Sequence, residues 1–480
     1  MHHDASNSNP IDSVFRRMGV GLPADQSGFH WEPLFWFIAI LGCITIGQRF
    51  AVPFDESQFG VGFLFCLLIT MVLALSGRLT VDPLRVILYA IGMAGCLLTL
   101  FFKRDSFSFI SLVMLLVVYL SYIFSVRLYY DQYLRILGGF QDIMLFCVWC
   151  GIAQFLIQFP LSPDFMFPFD MVLPDSLFIP EFNLRIPITD TLPYEKSTGL
   201  WFLEPSHFSQ FLAFAVIIEL RHFNRPKRLL LYLGSMALCF SGTGLVLLAL
   251  VGTILAITQK RIGLIALAIF GFLSILVFRD VFPFSVFYDR LSDFTNPLAS
   301  GSGRFIAPYW VIGDLIEAGR SHVLIWGLGP GQLKMIVQYT DYFVQDSSWF
   351  KLVVEYGYVA VAFFALFFLL SLYRKSPDKI LSTACLIQFL FLGGYLLSFY
   401  VHFLYLVLIV WPELIEEEVF YGLDEEVGYP LDSAESGQAD APGHEEHWAS
   451  NAPGRLDGTS ASVQTERSAM FGNIDAEPKG

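Results

Sequence analysis

Charge is what this sequence has least of. Only 15% of its 480 residues are Asp, Glu, Lys or Arg, while 55% are hydrophobic and 49 are Phe. Water-soluble domains carry about 25% charged residues, so a soluble globule with this balance would expose far too much apolar surface. That excludes most cytosolic enzymes, nucleic-acid-binding proteins and disordered scaffolds. The charge that is present is unevenly placed. The last 68 residues, from Glu413 to Gly480, hold 16 acids and three bases, and the rest of the chain holds 27 acids and 26 bases. The formal net charge of −14 therefore describes a near-neutral apolar body with an acidic tail, and a basic footprint for nucleic acid is missing. The tail, 412–480, reads as a disordered, solvated cytoplasmic segment.

Other features are also lacking. No phosphate-binding loop of the Gly-x-x-x-x-Gly-Lys-Ser/Thr kind occurs, which argues against ATP-driven transport. The seven cysteines all fall inside apolar runs. Cys147-Val-Trp-Cys150 has redox or zinc spacing, but without a second pair or a nearby His it reads as small apolar packing. The first thirty or so residues are polar and do not form a cleavable signal peptide, and His2-His3 is too short for a metal site.

What the chain does have is long apolar runs. A helix crossing hydrocarbon needs about 20 mostly apolar residues, because its backbone must satisfy itself internally. Runs at 33–48, 58–76, 83–101, 107–125, 137–158, 206–221, 262–278 and 355–373 qualify. Two further runs, 228–259 and 379–411, are too long for one span and short for two. Each is broken near its middle, by Ser241-Gly242-Thr243-Gly244 and by Gly393-Gly394, so each reads as a helical hairpin. The expected fold is an all-α integral membrane protein, a polytopic bundle of about twelve transmembrane helices over 33–411, preceded by a cytoplasmic segment 1–32.

Lys and Arg set the orientation. With the N-terminus inside, the short cytoplasmic segments hold 15 of them, among them Arg85, Arg127, Arg221, Arg225, Arg374 and Lys375, against Arg49, Lys103 and Arg104 in the short outer loops. Both termini are thereby cytoplasmic, and two long loops, 159–205 and 279–345, lie outside. They are too polar for lipid and too long for connectors, and such loops carry function. No Asp-x-Asp or Asp-Asp pair sits at an outer helix end, which argues against a metal-dependent enzyme using nucleotide sugars. Apart from Glu219 and Glu355, acids are scarce within the spans, which argues against a proton-coupled porter.

The chemistry is expected where charge is expensive. Arg185, Lys196, Arg304, Arg320 and Lys334 are cations of the long outer loops, suited to phosphate oxygens, or else solvated and balanced by nearby acids. Glu204-Pro205-Ser206-His207 closes the first loop and opens a helix that Ser206 would cap. Glu204 reads equally as a first-turn carboxylate favoured by the helix dipole and as an acid that orients a cation or binds a sugar hydroxyl. His207 reads as a structural hydrogen-bonder or as a proton acceptor at the membrane edge. Asp346 stands where the second loop re-enters the membrane, either as a helix cap or as a general base made effective by desolvation. His322, the one His in either long loop, competes with it. Aromatic residues of the first loop read as an interfacial belt or as platforms for sugar rings.

Three groups of residues resemble the O-antigen ligase/O-antigen polymerase superfamily over roughly 190–400. The first is Lys196-Ser-Thr-Gly199 followed by Glu204-Pro205-Ser206. The second, after the short hairpin at Ser241, is Gly303-Arg304, Trp310 and Gly327-Leu328-Gly329. The third is the approach to Glu355-Tyr356-Gly357. Ligases place His-Asn nine residues before that Glu; here the pair is Asp346-Ser347, which looks more like the exopolysaccharide polymerases. Lys196 stands where Arg is common. The resemblance implies a GT-C-like enzyme of the bacterial inner membrane that joins undecaprenyl-pyrophosphate-linked oligosaccharide repeat units at the periplasmic face. The transfer would be inverting and metal-independent and would need no cofactor. Arg304, Lys196 and Arg185 would bind pyrophosphate. Asp346, supported by Glu204, would be the base, with His322 as the alternative. Membrane lipids, a chain-length regulator and a flippase would be partners, and nucleic acid would not. The competing readings are an O-antigen or protein O-glycan ligase, a glycolipid flippase or transporter, and a structural member of a secretion complex. If the tail only regulates, truncation after Glu426 leaves polymer formation intact in cells; complete loss of polymer on a gel contradicts that.

Overall fold

A computed structural model describes residues 32–415, apart from 55–56, 103–106, 180–181, 183, 190–192, 261–272, 274–275, 279, 282–284, 287, 289–292 and 339. The acidic tail, the N-terminal segment and most of the expected span 262–278 lie outside the described residues. The apolar runs fold as helices: α1 Glu32–Ile46, α2 Val61–Leu75, α3 Pro83–Leu98, α4 Phe109–Leu120 and α5 Tyr130–Ile157. After the first long loop come α6 Pro205–Ile218, α7 Pro226–Leu238 and α8 Gly242–Thr258. The remaining apolar helices are α9 Ser348–Tyr373, α10 Lys379–Phe391 and α11 Phe399–Tyr405, the last continuing as a π turn to Val410. Both overlong runs are split where their small residues stand, between α7 and α8 and between α10 and α11.

The helical segments Pro83–Phe101, Tyr130–Ile157 and Ser348–Tyr373 are long and apolar enough to cross a bilayer. Among the described residues the other apolar helices are shorter, at 10–17 residues, so the coarse reading of a mostly helical chain with helices able to span a membrane stands. Large apolar side chains face outward from the outer helices, with Leu75 81% and Phe109 68% exposed. In water that would be an aggregation hazard; against lipid it is the ordinary arrangement. Inward lies α6, whose residues from His207 to Ile218 are all buried. It packs between α8, α7, α5 and α10. Gly244 makes the closest approach possible, since a Cβ there would sit 2.3 Å from the Ser209 carbonyl oxygen.

Several polar groups inside this body are held in networks. His402 lies between Tyr122, whose hydroxyl is 2.7 Å from Nδ1, and Tyr119, 3.1 Å from Nε2. Gln210 accepts from Tyr395 at 2.7 Å and from Gln388 at 2.8 Å, and Gln388 accepts from Tyr405 at 2.9 Å.

The helical body also carries small sheets that the all-α reading leaves out. β1 (Ala51–Phe54) and β2 (Ser57–Gly60) pair antiparallel. β3 (Thr80–Val81) pairs antiparallel with β4 (Phe124–Leu128), and β4 pairs parallel with β5 (Pro412–Leu414). Arg85 is buried beneath this sheet and donates to the carbonyls of Phe124 at 2.7 Å and Val410 at 2.8 Å. Beside it, Lys375 bridges Asp82 at 3.1 Å and Glu413 at 2.8 Å. Asp378 holds Arg221 and His222, and Glu219 holds Arg225. Several cations read as topological signals are thus locked in ion pairs.

The segment read as the second long loop is folded, where it is described, into short helices: Ser300–Phe305, Ala307–Glu317, Ser321–Trp326 and Leu333–Val337. They share an apolar cluster with the start of α9, including Val311, Leu324, Phe350 and Val354. The junction is backbone to backbone: Leu328 and Gly329 donate to the carbonyls of Val354 and Glu355, each at 2.8 Å. Gly357 interrupts α9 there with φ 76°, and a Cβ on it would lie 2.3 Å from the Ile325 carbonyl oxygen. Left-handed backbone and close contact both demand glycine. Gly357→Ala is expected to cost about 2–4 kcal/mol, read as a lower melting temperature in detergent; an unchanged melting temperature would contradict this junction.

Candidate functional site

Each of the three motif groups is held in place by its own local structure. In the first, Gln154 of α5 clamps the turn after Lys196, accepting from the amides of Thr198 at 3.0 Å and Leu200 at 3.1 Å. The chain then enters α6 through Glu204, with Pro205 in the first helical position, where its missing N–H costs nothing. Glu204, not Ser206, occupies the cap position, and the Ser206 hydroxyl donates to the Glu204 carboxylate at 2.8 Å.

In the second, Gly303 lies flush against Phe343, and its carbonyl accepts from the Gln345 amide at 3.0 Å. This sets Arg304 inside, with 9% exposure and Nε donating to the Gln345 side-chain oxygen. Burial lowers the pKa of the Arg304 guanidinium, opposed by Tyr395 and by the carboxylates of Glu204 and Asp346. Arginine starts so high that it stays charged.

In the third, Ser347 occupies the cap position of α9 without a side-chain hydrogen bond, so Asp346 does not hold that position. Asp346 packs on Gly394, and its carboxylate lies 3.3 Å from Lys351 Nζ. Its side chain is 48% exposed, well short of the desolvation that a base reading supposes. Ser348 fixes the glycine turn from below, its hydroxyl donating to the Gly393 carbonyl at 3.3 Å and accepting from the Tyr395 amide at 2.9 Å.

These segments meet around two cavities. The larger, about 930 Å³, is lined by Glu204, His207, Arg304, Lys334, Gln345, Asp346, Lys351, Tyr395 and Tyr400 among others. The smaller, about 520 Å³, has Lys196, Ser241, Thr243 and Asp293 at one part of its wall and Leu245, Val246 and Ala249 of α8 at another. Glu204, Ser206, Arg304, Phe343 and Gln345 line both. Arg304 is therefore reached from two cavities whose walls are both largely apolar, the smaller more so. Such a site can bind an anion whose two substituents differ in polarity.

Not every expected residue joins it. Lys196, Glu204, Arg304 and Asp346 do. Arg185 lies in the first loop with its side chain 41% exposed, paired with Asp164 at 2.6 Å and stacked on Phe167, and it lines neither cavity. The hydrogen bond between them lowers the Asp164 pKa and raises that of Arg185. His322 is exposed on the helix Ser321–Trp326 and faces neither cavity. In the other direction, Tyr395 and Tyr400 line the larger cavity without having been singled out, while Gln345 and Lys351, the sequence neighbours of Asp346, line it as well. The two tyrosines sit inside an apolar run, where nothing in sequence separates them from core.

Comparison with protein-family models, with curated proteins and with solved structures gives no match in any of the three.

A buried charged donor to an anion is worth about 1.5–3 kcal/mol. Binding of pyrophosphate to the detergent-solubilised protein, measured by calorimetry, should therefore weaken about tenfold or more in Arg304→Ala and not change in Arg185→Ala. Equal losses in both variants would place the anion elsewhere.

Proposed function

We propose that the chain is a membrane-embedded glycosyltransferase that polymerises undecaprenyl-pyrophosphate-linked oligosaccharide repeat units at the periplasmic face of the bacterial inner membrane. The reading is carried by one observation. Lys196 and Glu204, Arg304, and Gln345 with Asp346 come from three separate stretches of chain, yet they gather around the two cavities that share Arg304. These are the stretches that resemble the polymerase superfamily.

In this reading Arg304 and Lys196 hold the pyrophosphate of the donor. The isoprenoid chain runs along Leu245, Val246 and Ala249, and the sugars occupy the larger, more polar cavity. Glu204, Asp346 and Lys351 offer carboxylate and ammonium groups to sugar hydroxyls. The reaction breaks the bond between the anomeric carbon and the pyrophosphate oxygen, so negative charge grows on that oxygen. Fixed cations in a partly dry site stabilise it more than water would, which is the main source of rate. An acceptor hydroxyl attacking from the opposite face inverts the anomeric centre. The acceptor's proton passes to a base in the cavity, and the two cations rather than a metal carry the charge of the leaving group.

In a strain lacking the gene, single lipid-linked repeat units should accumulate. Complementation with Arg304→Ala or Lys196→Ala should slow polymer formation by about 10²–10³-fold, read as loss of the polymer ladder on a gel with repeat units persisting. Normal chain length with both variants would sink the site, and normal polymer in the deletion strain would sink the function.

A further inference from the structure

Of the groups facing the larger cavity, His207 has chemistry the reading above does not use. It stands one turn into α6, three residues after Glu204, and is 7% exposed. Its Nε2 lies 3.3 Å from the Tyr400 hydroxyl, and its ring packs between Tyr400 and Tyr395, 5.3 and 5.8 Å away. Its Nδ1 is buried and has no hydrogen-bond partner among the described residues. A buried nitrogen without a partner calls for an explanation, and on a residue that lines a cavity a ligand can supply it.

Resting on the polymerase reading, we propose that His207 is the catalytic base of the glycosyl transfer, its Nδ1 accepting the proton of the attacking acceptor hydroxyl. The tautomer that does this carries its proton on Nε2 and donates it to the Tyr400 oxygen, which leaves the Nδ1 lone pair bare. The acceptor O–H bond gives its proton to Nδ1 while the oxygen forms the new bond to the anomeric carbon. The old bond from that carbon to the pyrophosphate breaks, and its electron pair leaves on the oxygen beside Arg304. The imidazolium then passes its proton to water or to the departed pyrophosphate and is neutral again. Glu204, on the preceding turn, presents a negative charge to the imidazolium while it exists, against the positive charge of Arg304. Asp346 is the competing base, but its carboxylate is half exposed and already neighbours Lys351. His207 is dry, held by one nitrogen and unpartnered at the other.

The test uses full-length protein in detergent, undecaprenyl pyrophosphate for binding, and lipid-linked repeat units extracted from the deletion strain for transfer. His207→Gln keeps the volume and a donor for Tyr400 but has no basic nitrogen; His207→Ala leaves a hole. Transfer should fall by about 100-fold or more in both, with undecaprenyl pyrophosphate binding unchanged. Added imidazole should restore part of the rate to His207→Ala and none to His207→Gln. Transfer in His207→Gln within about tenfold of wild type would overturn the assignment. So would a parallel loss of binding and transfer that imidazole does not relieve, since that marks a structural role. A larger loss in Asp346→Asn than in His207→Gln, at full binding, would hand the role to Asp346. Wild-type protein that lengthens no repeat units refutes the polymerase reading itself, whereas wild-type polymerisation with an unaffected His207→Gln refutes only the base.

Discussion

A guanidinium that is nine-tenths buried dictates much of what surrounds it. Taking one charge out of water costs several kcal/mol unless partners are in place. Around Arg304 those partners are a side-chain amide, two carboxylates and a tyrosine, drawn from α6, the 343–346 segment and the turn before α11. Each of these must be positioned by something else. Gln345 is placed by the Gly303 carbonyl, Glu204 by the proline-led start of α6, and Tyr395 by Gln210 and Ser348. The site is rigid because the charge at its centre tolerates no other arrangement.

Close backbone approach supplies the rest of that rigidity. Where helices of a membrane protein meet, lipid removes much of the hydrophobic advantage of association, so small residues and hydrogen bonds must hold contacts together. Gly244 lets α8 touch α6, Gly357 lets α9 receive the Ile325–Gly329 turn, and Gly394 lets Asp346 settle on the break between α10 and α11. Gly244 is flanked by Thr243 and Leu245, which line the smaller cavity, and Gly394 itself lines the larger.

Much of this was legible in the sequence, for identifiable reasons. Apolar runs announce helices, and runs of the wrong length announce their interruptions, so the breaks at Ser241 and at Gly393-Gly394 could be read directly. Charged residues stand out against so apolar a chain, which is why Lys196, Glu204, Arg304 and Asp346 were visible. The same contrast picked out Arg185 and His322, because a charge or an imidazole in a loop looks alike whether it faces a cavity or solvent. Tyr395 and Tyr400 were hidden for the opposite reason: among Phe and Leu they look like packing. The role of Arg85 was hidden too, since a count of cations records its sign but not the two distant carbonyls it binds.

The sheet formed by β3, β4 and β5 has a consequence for how the protein is made. Arg85 and Trp411 tie the beginning of the chain to its far end, the Trp411 ring nitrogen donating to the Ser121 carbonyl at 2.9 Å and Arg85 to that of Val410. These bonds span some 300 residues of sequence. Helices enter a membrane in the order they leave the ribosome, so α3 and α4 must wait, with Arg85 held only by Phe124 and Asp82, until Val410 emerges. Closure of the body is a late event in synthesis, and a chain cut short before Val410 would be left with an open seam and with Arg85 short of one of its two carbonyl partners.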